Sequence, residues 1–85
     1  MADRRLQVFA TVARLLSFTK AAEALHMTQP AVTFQIRQLE DYFNTRLFDR
    51  THNRISLTSA GHLVKGYSDQ ILSLYSEMDN EVRKL

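Results

Sequence analysis

The chain has 85 residues, 45% hydrophobic and 24% charged, the make-up of one soluble globular domain with no room for a second. It has no Cys, which excludes disulfides, thiolate metal sites and a catalytic thiol, and its three His (His26, His52, His62) are too scattered for a zinc site. Net charge is only +2 but unevenly placed: residues 1–58 carry eight Lys/Arg against five Asp/Glu, residues 59–85 three against four.

No stretch of 18 apolar residues could span a membrane. Arg4-Arg5 followed by Leu6 to Leu16 imitates a signal peptide only faintly, because Gln7, Thr11 and Arg14 interrupt it. The expectation is a cytoplasmic protein with no membrane partner. With two Gly, one Pro and long helix-period patterns, the chain reads as mainly α.

The first predicted helix covers residues 3–16, with Leu6, Phe9, Ala13 and Leu16 on one stripe, widened by Val8, Val12 and Leu15. Ser17-Phe18-Thr19 interrupts it with capping-type residues, and a short second helix runs from Lys20 to Leu25. A third starts at Thr28-Gln29-Pro30, where the Thr hydroxyl can take an orphan amide and Pro sits in the first turn. Its inward stripe is Val32, Ile36, Leu39 and Phe43, and Asn44 can adopt the left-handed stop conformation.

Leu47 to Arg50 and Arg54 to Leu57 read as short strands around the connection Thr51-His52-Asn53. Thr58 caps a last helix with a near-heptad seam: Val64, Tyr67, Ile71, Leu74, Met78, Val82 and Leu85. The pattern runs to the last residue without a terminator, so the expectation is a fragment whose last helix pairs with a second copy of itself. The alternative is that this seam packs on the body of its own chain. The division expected is 1–58 for the body and 59–85 for a linker helix.

Two helices joined by a short turn, then a hairpin, form the layout of a winged helix-turn-helix, in which the second helix of the pair enters the DNA major groove. Opposite its core stripe the third helix carries Pro30, Thr33, Phe34, Arg37, Gln38 and Asp41, with Gln29 at its start. Gln can bond adenine, Thr can bond a base or touch a thymine methyl, and Arg can read guanine or hold a phosphate. The acids Glu40 and Asp41 come only near the far end, so the N-terminal half is the part expected in the groove.

Gln29, Pro30, Thr33, Phe34 and Arg37 are therefore the base-facing candidates. Phe34 either presses on thymine methyls or sugar edges or covers a neighbour in its own domain, and Arg37 either contacts DNA or pairs with Asp41. Thr19, Lys20 and Thr28 stand near helix N-termini, where free amides suit phosphates. Arg50 and Arg54 flank the hairpin tip and suit a minor groove or backbone, although Arg50 has the alternative of internal use by Asp49 or another acid.

The residues also carry a close resemblance. Ser17-Phe18-Thr19-Lys20-Ala21-Ala22-Glu23-Ala24-Leu25, Thr28-Gln29-Pro30-Ala31-Val32-Thr33 and Gln35-Ile36-Arg37-Gln38-Leu39-Glu40 resemble the N-terminal domain of LysR-type transcriptional regulators. The likeness continues through Leu47-Phe48-Asp49-Arg50 and Leu57-Thr58-Ser59-Ala60-Gly61. It implies a dimer, joined through the linker helix, that binds double-stranded DNA at interrupted inverted repeats in bacterial promoters. The helix at about 28–43 would read the major groove and the wing at about 47–57 the flank.

The same resemblance points to Thr28, Gln29, Pro30, Thr33, position 34 and the wing around Asn53 and Arg54. It implies that the full-length protein alone, through a further effector-binding domain, answers a small-molecule inducer. This sequence departs from the family at Phe34 and Asn53, where basic residues are common, and at Asn44, where Gly is usual. No cofactor is expected. A protein-interaction module is the competing class, since amphipathic helices and a seam alone would serve it, and for an enzyme neither a nucleophile with a base nor a phosphate loop can be named.

Overall fold

The computed structural model describes residues 4–85, so Asp3, the first residue of the predicted opening helix, lies outside the described residues. The elements are α1 (Arg4–Leu15), α2 (Phe18–Leu25), α3 (Gln29–Phe43), β1 (Phe48–Thr51), β2 (Arg54–Leu57) and α4 (Ser59–Arg83). The architecture is mainly helical with one two-stranded antiparallel hairpin, as expected.

Local chemistry sets most boundaries. Leu16, expected to continue α1, instead takes a left-handed conformation (φ 49°) that ends it. Ser17 then caps α2, its Oγ accepting from the Lys20 amide at 3.0 Å. The second helix therefore starts two residues earlier than the sequence suggested, with Phe18 and Thr19 in its first turn, because one capping side chain suffices and Phe18 is drawn into the core.

His26 (φ 56°) and Asn44 (φ 54°) close α2 and α3 in the left-handed conformation usually given to Gly. After each, the next amide folds back onto the helix: Met27 N–H to Ala22 O at 2.9 Å, and Thr45 N–H to Glu40 O at 3.1 Å. Thr28 caps α3 through the Ala31 amide at 3.3 Å, with Pro30 in the first turn, as its sequence position implied.

The core is Val8, Phe9, Val12 and Ala13 from α1, Phe18, Ala21 and Ala22 from α2, Val32, Ile36 and Leu39 from α3, and Leu47-Phe48 leading into the hairpin. The Phe48 ring sits 5.3 Å from Phe9 and 5.8 Å from Phe18, centroid to centroid. α1 is the hub, packed against α2, α3 and α4. Phe43, the last of the predicted inward stripe, is instead exposed and meets Tyr42 edge-on at 5.1 Å; past Leu39 the core is filled by Leu47 and Phe48.

The hairpin pairs Phe48 with Leu57, Asp49 with Ser56, Arg50 with Ile55 and Thr51 with Arg54. Its loop is His52-Asn53, one residue shorter than expected. Both residues have positive φ (53° and 59°), the signature of a type I′ turn, whose twist matches that of the strands.

α4, 25 residues and about 37 Å long, accounts for the 51 Å long axis of the molecule. Its start is clamped to the body: Thr58 N–H donates to Leu47 O at 3.0 Å, Thr58 Oγ1 donates to Arg46 O at 2.7 Å and accepts from the Gly61 amide at 3.0 Å. Gly61 is buried, with no room for a side chain against the Leu47 carbonyl.

Candidate nucleic-acid interface

The N-termini of α2 and α3 carry no acid in their first turns, and each ends in amides that favour anions. A surface cleft of about 580 Å³ joins them to the hairpin tip, lined among others by Thr19, Gln29, Arg50, Asn53 and Arg54. Five candidates from three separate stretches of sequence thus meet at one place. Lys20 and Thr28 are exposed beside it, and the Thr28 hydroxyl keeps its proton free while its oxygen caps α3.

On α3, Gln29, Pro30, Phe34 and Arg37 are exposed. Arg37 makes no ion pair among the described residues, so the alternative pairing with Asp41 is not present. Phe34 has 58% of its surface open and no aromatic partner among the described residues, which is not how a ring covering a neighbour would sit.

Thr33 differs from expectation. It is half-buried, and its hydroxyl oxygen is covered without a hydrogen-bond partner, beside a cavity of about 250 Å³ that Phe18, Phe48 and Arg50 also line. The apolar arc counted from the sequence was too narrow: α2 and the hairpin cover α3 further round, as is usual for a packed helix.

Arg50 also has a role of its own. Strand alternation puts it on the same face as Phe48 and Ile55, and its guanidinium lies 4.0 Å from the centroid of the Phe18 ring. Its internal partner is a ring rather than an acid. Arg54, on the opposite face and paired with Thr51, is exposed without an ion pair among the described residues.

Sequence reasoning missed Glu40. Its Oε2 accepts from the amides of Leu47 at 2.8 Å and Phe48 at 3.5 Å, with Arg46 Nε at 3.8 Å, tying the start of the hairpin to the last turns of α3. Nothing local in the sequence signals such a contact across seven residues.

On α4, Tyr67, Leu74 and Val82 are 61–63% exposed, and Ile71 and Met78 about 40%. Leu63, which the predicted seam omitted, is equally open at 64%, whereas Val64 is half-buried against the core of its own chain. From Tyr67 onward the seam is therefore not covered by its own body, whereas Val64 is. The flank beside it packs on that body through Gly61, Val64 and Ser68, of which Gly61 and Ser68 are buried. Leu6, Phe43, Leu63, Val64, Tyr67 and Ile71 border an apolar hollow of about 490 Å³.

A capped pair of helices at a tight turn, an exposed and acid-free N-terminal half on the second, and a hairpin beside it define a winged helix-turn-helix domain. Residues 4–62 match the family of bacterial regulatory helix-turn-helix proteins of the lysR type. The chain belongs to the LysR family.

The RuBisCO operon transcriptional regulator of Allochromatium vinosum is 46% identical over 82 residues, covering 96% of this chain and 27% of that protein. The transcriptional regulator CfxR of Cupriavidus necator is 46% identical over 69 residues, covering 81% and 22%. The chain spans about a quarter of the length of such relatives. Among solved structures, the BenM DNA-binding domain in complex with catB site 1 DNA superposes with a TM-score of 0.93 at 32% identity, over 99% of this chain and 94% of that one. The CbnR DNA-binding domain in complex with DNA gives 0.89 at 34%, over 99% and 97%. The named relatives are transcriptional regulators, and no helix among the described residues is long and apolar enough to cross a membrane.

Proposed function

We propose that this chain is the DNA-binding unit of a bacterial transcriptional regulator. It binds double-stranded DNA sequence-specifically, as a dimer on an interrupted inverted repeat, with α3 in the major groove and the β1–β2 hairpin at the flanking minor groove or backbone. The observation that carries this reading is the exposed, acid-free N-terminal half of α3, continuous through one cleft with the hairpin tip. The DNA-bound BenM and CbnR domains support it, being close in fold over almost the whole chain.

Gln29, Pro30, Phe34 and Arg37 face the bases. Thr33 stands at the edge of that surface, and its hydroxyl reaches a base only by turning about its first side-chain torsion, for which helical Thr has two accessible rotamers. Thr19, Lys20 and Thr28 hold phosphates, as does Arg50, whose planar group is already oriented by Phe18. Asn53 and Arg54 meet the flank of the site.

Residues 1–58 form the binding body and residues 59–85 the linker helix. Tyr67, Ile71, Leu74, Met78 and Val82, with Leu63, pair with a second copy, and Val64 contributes where it borders the apolar hollow. We assign a response to a small-molecule inducer to the full-length regulator, acting in the cytoplasm, and not to these residues.

The test is selection of bound fragments from random duplex, followed by titration across salt concentrations. An inverted repeat should be enriched. Four candidate cations per protomer (Lys20, Arg37, Arg50 and Arg54) give a slope of log affinity on log salt of up to about −7 for a dimer. Gln29→Ala should cost ~1–3 kcal/mol on the selected site and far less on random duplex. Absence of enrichment, or equal losses on both duplexes, refutes the reading.

A further inference from the structure

We infer that Phe34, with Pro30 one turn before it, is a reader of C5-methyl groups on pyrimidines, so that the chain distinguishes thymine or 5-methylcytosine from the unmethylated base. This rests on the DNA-binding reading above. Residues four apart on a helix lie one above the other on the same face. Pro30 and Phe34 are both exposed and form an apolar strip along the acid-free half of α3, between Gln29 at its start and Arg37 one turn on.

Phe34 is 58% exposed and its ring packs on no other ring among the described residues, unlike Tyr42 and Phe43 on the last turn of the same helix, which pack on each other. A phenyl ring can neither donate nor accept a conventional hydrogen bond, so it reads none of the donor and acceptor pattern that distinguishes the base pairs. The major-groove edge of a base pair offers one apolar group, the C5-methyl of thymine. 5-Methylcytosine carries its methyl on the same ring carbon. Covering that methyl also takes part of the exposed ring out of water, which is the favourable direction for both surfaces.

The test uses the full chain and the duplex that it selects most strongly. Each thymine under α3 is replaced in turn by deoxyuridine, which removes only the methyl. At one position per half-site the wild-type chain should lose about four-fold in affinity, the worth of one buried methyl. Phe34→Ala should show no loss there, and Phe34→Leu part of it.

At the same position, cytosine followed by 5-methylcytosine separates the two sources of the methyl. Recovery on methylation in the wild type, and not in Phe34→Ala, extends the reader to 5-methylcytosine; uracil sensitivity without recovery confines it to thymine and overturns the cytosine arm. Uracil sensitivity unchanged in Phe34→Ala, or absent from the wild type while the unmodified duplex binds tightly, overturns the methyl reader and leaves DNA binding standing. Failure to enrich any duplex overturns both.

Discussion

Gly61→Ala sets a steric cost against a helix-propensity gain on the same helix where Gly66→Ala offers the gain alone. A Cβ at Gly61 would overlap the Leu47 carbonyl oxygen and stand 2.9 Å from Leu57 Cδ2 and 3.1 Å from Leu47 C, whereas at Gly66 it meets nothing within 4 Å. Because the obstacle at Gly61 is backbone, relief requires α4 to lift off the hairpin base. That movement strains the contact of Thr58 N–H with Leu47 O and of Thr58 Oγ1 with Arg46 O. Two such bonds at about 1 kcal/mol each, with about 1–3 kcal/mol for overpacking and less about 1 kcal/mol of propensity gained, give a net loss of about 2–4 kcal/mol. A domain of this length has about 4–13 kcal/mol in all. Gly66→Ala should instead gain up to about 1 kcal/mol. Urea unfolding followed by circular dichroism, at one protein concentration so that self-association does not move the midpoint, measures both. Gly61→Ala within 1 kcal/mol of wild type would show that α4 does not cross the Leu47 backbone this closely.

Thr33→Val replaces a covered, unpartnered hydroxyl by a methyl of similar shape and should stabilise the fold by ~1 kcal/mol in the same unfolding assay; a loss of that size would place the hydroxyl in a hydrogen bond. Arg54→Ala should weaken all duplexes alike and reduce the salt slope by about one phosphate equivalent per protomer, read by anisotropy titration. Ile71→Lys with Leu74→Lys should give a folded monomer by sedimentation and remove the gain from engaging two half-sites together; a persistent dimer would mean that pairing runs through another surface.

Boundaries written in local chemistry were legible in the sequence. Thr28, Pro30 and Asn44 act through hydrogen bonds and dihedral preferences within a few residues, and they bracket α3 where expected. The exposed apolar stripe of α4 was legible from Tyr67 onward, because there other residues, Ser68 first, turn to the body and the helix's own period sets the stripe. It failed at Val64 and Leu63, where the core beneath α4 selects which residue turns inward. Leu16 was misread for a related reason: an apolar residue continuing a stripe gives no sign that its backbone will turn left-handed. Thr19, Gln29, Arg50, Asn53 and Arg54 come together at one cleft, but the surroundings of Thr33 and Arg50 depend on the side chain of Phe18 and on the strand that lies beside α3, which no local pattern encodes.

Glu40 has a consequence for electrostatics as well as for shape. A carboxylate one turn beyond Arg37, on the helix we propose for the major groove, would ordinarily oppose a polyanion, yet this one accepts from two amides and faces Arg46. Its field is largely answered within the molecule, so the acid costs little in attraction for a phosphate chain. The same bonds hold hairpin and helix at a set separation, so that in the proposed complex less freedom is surrendered when helix and hairpin engage together.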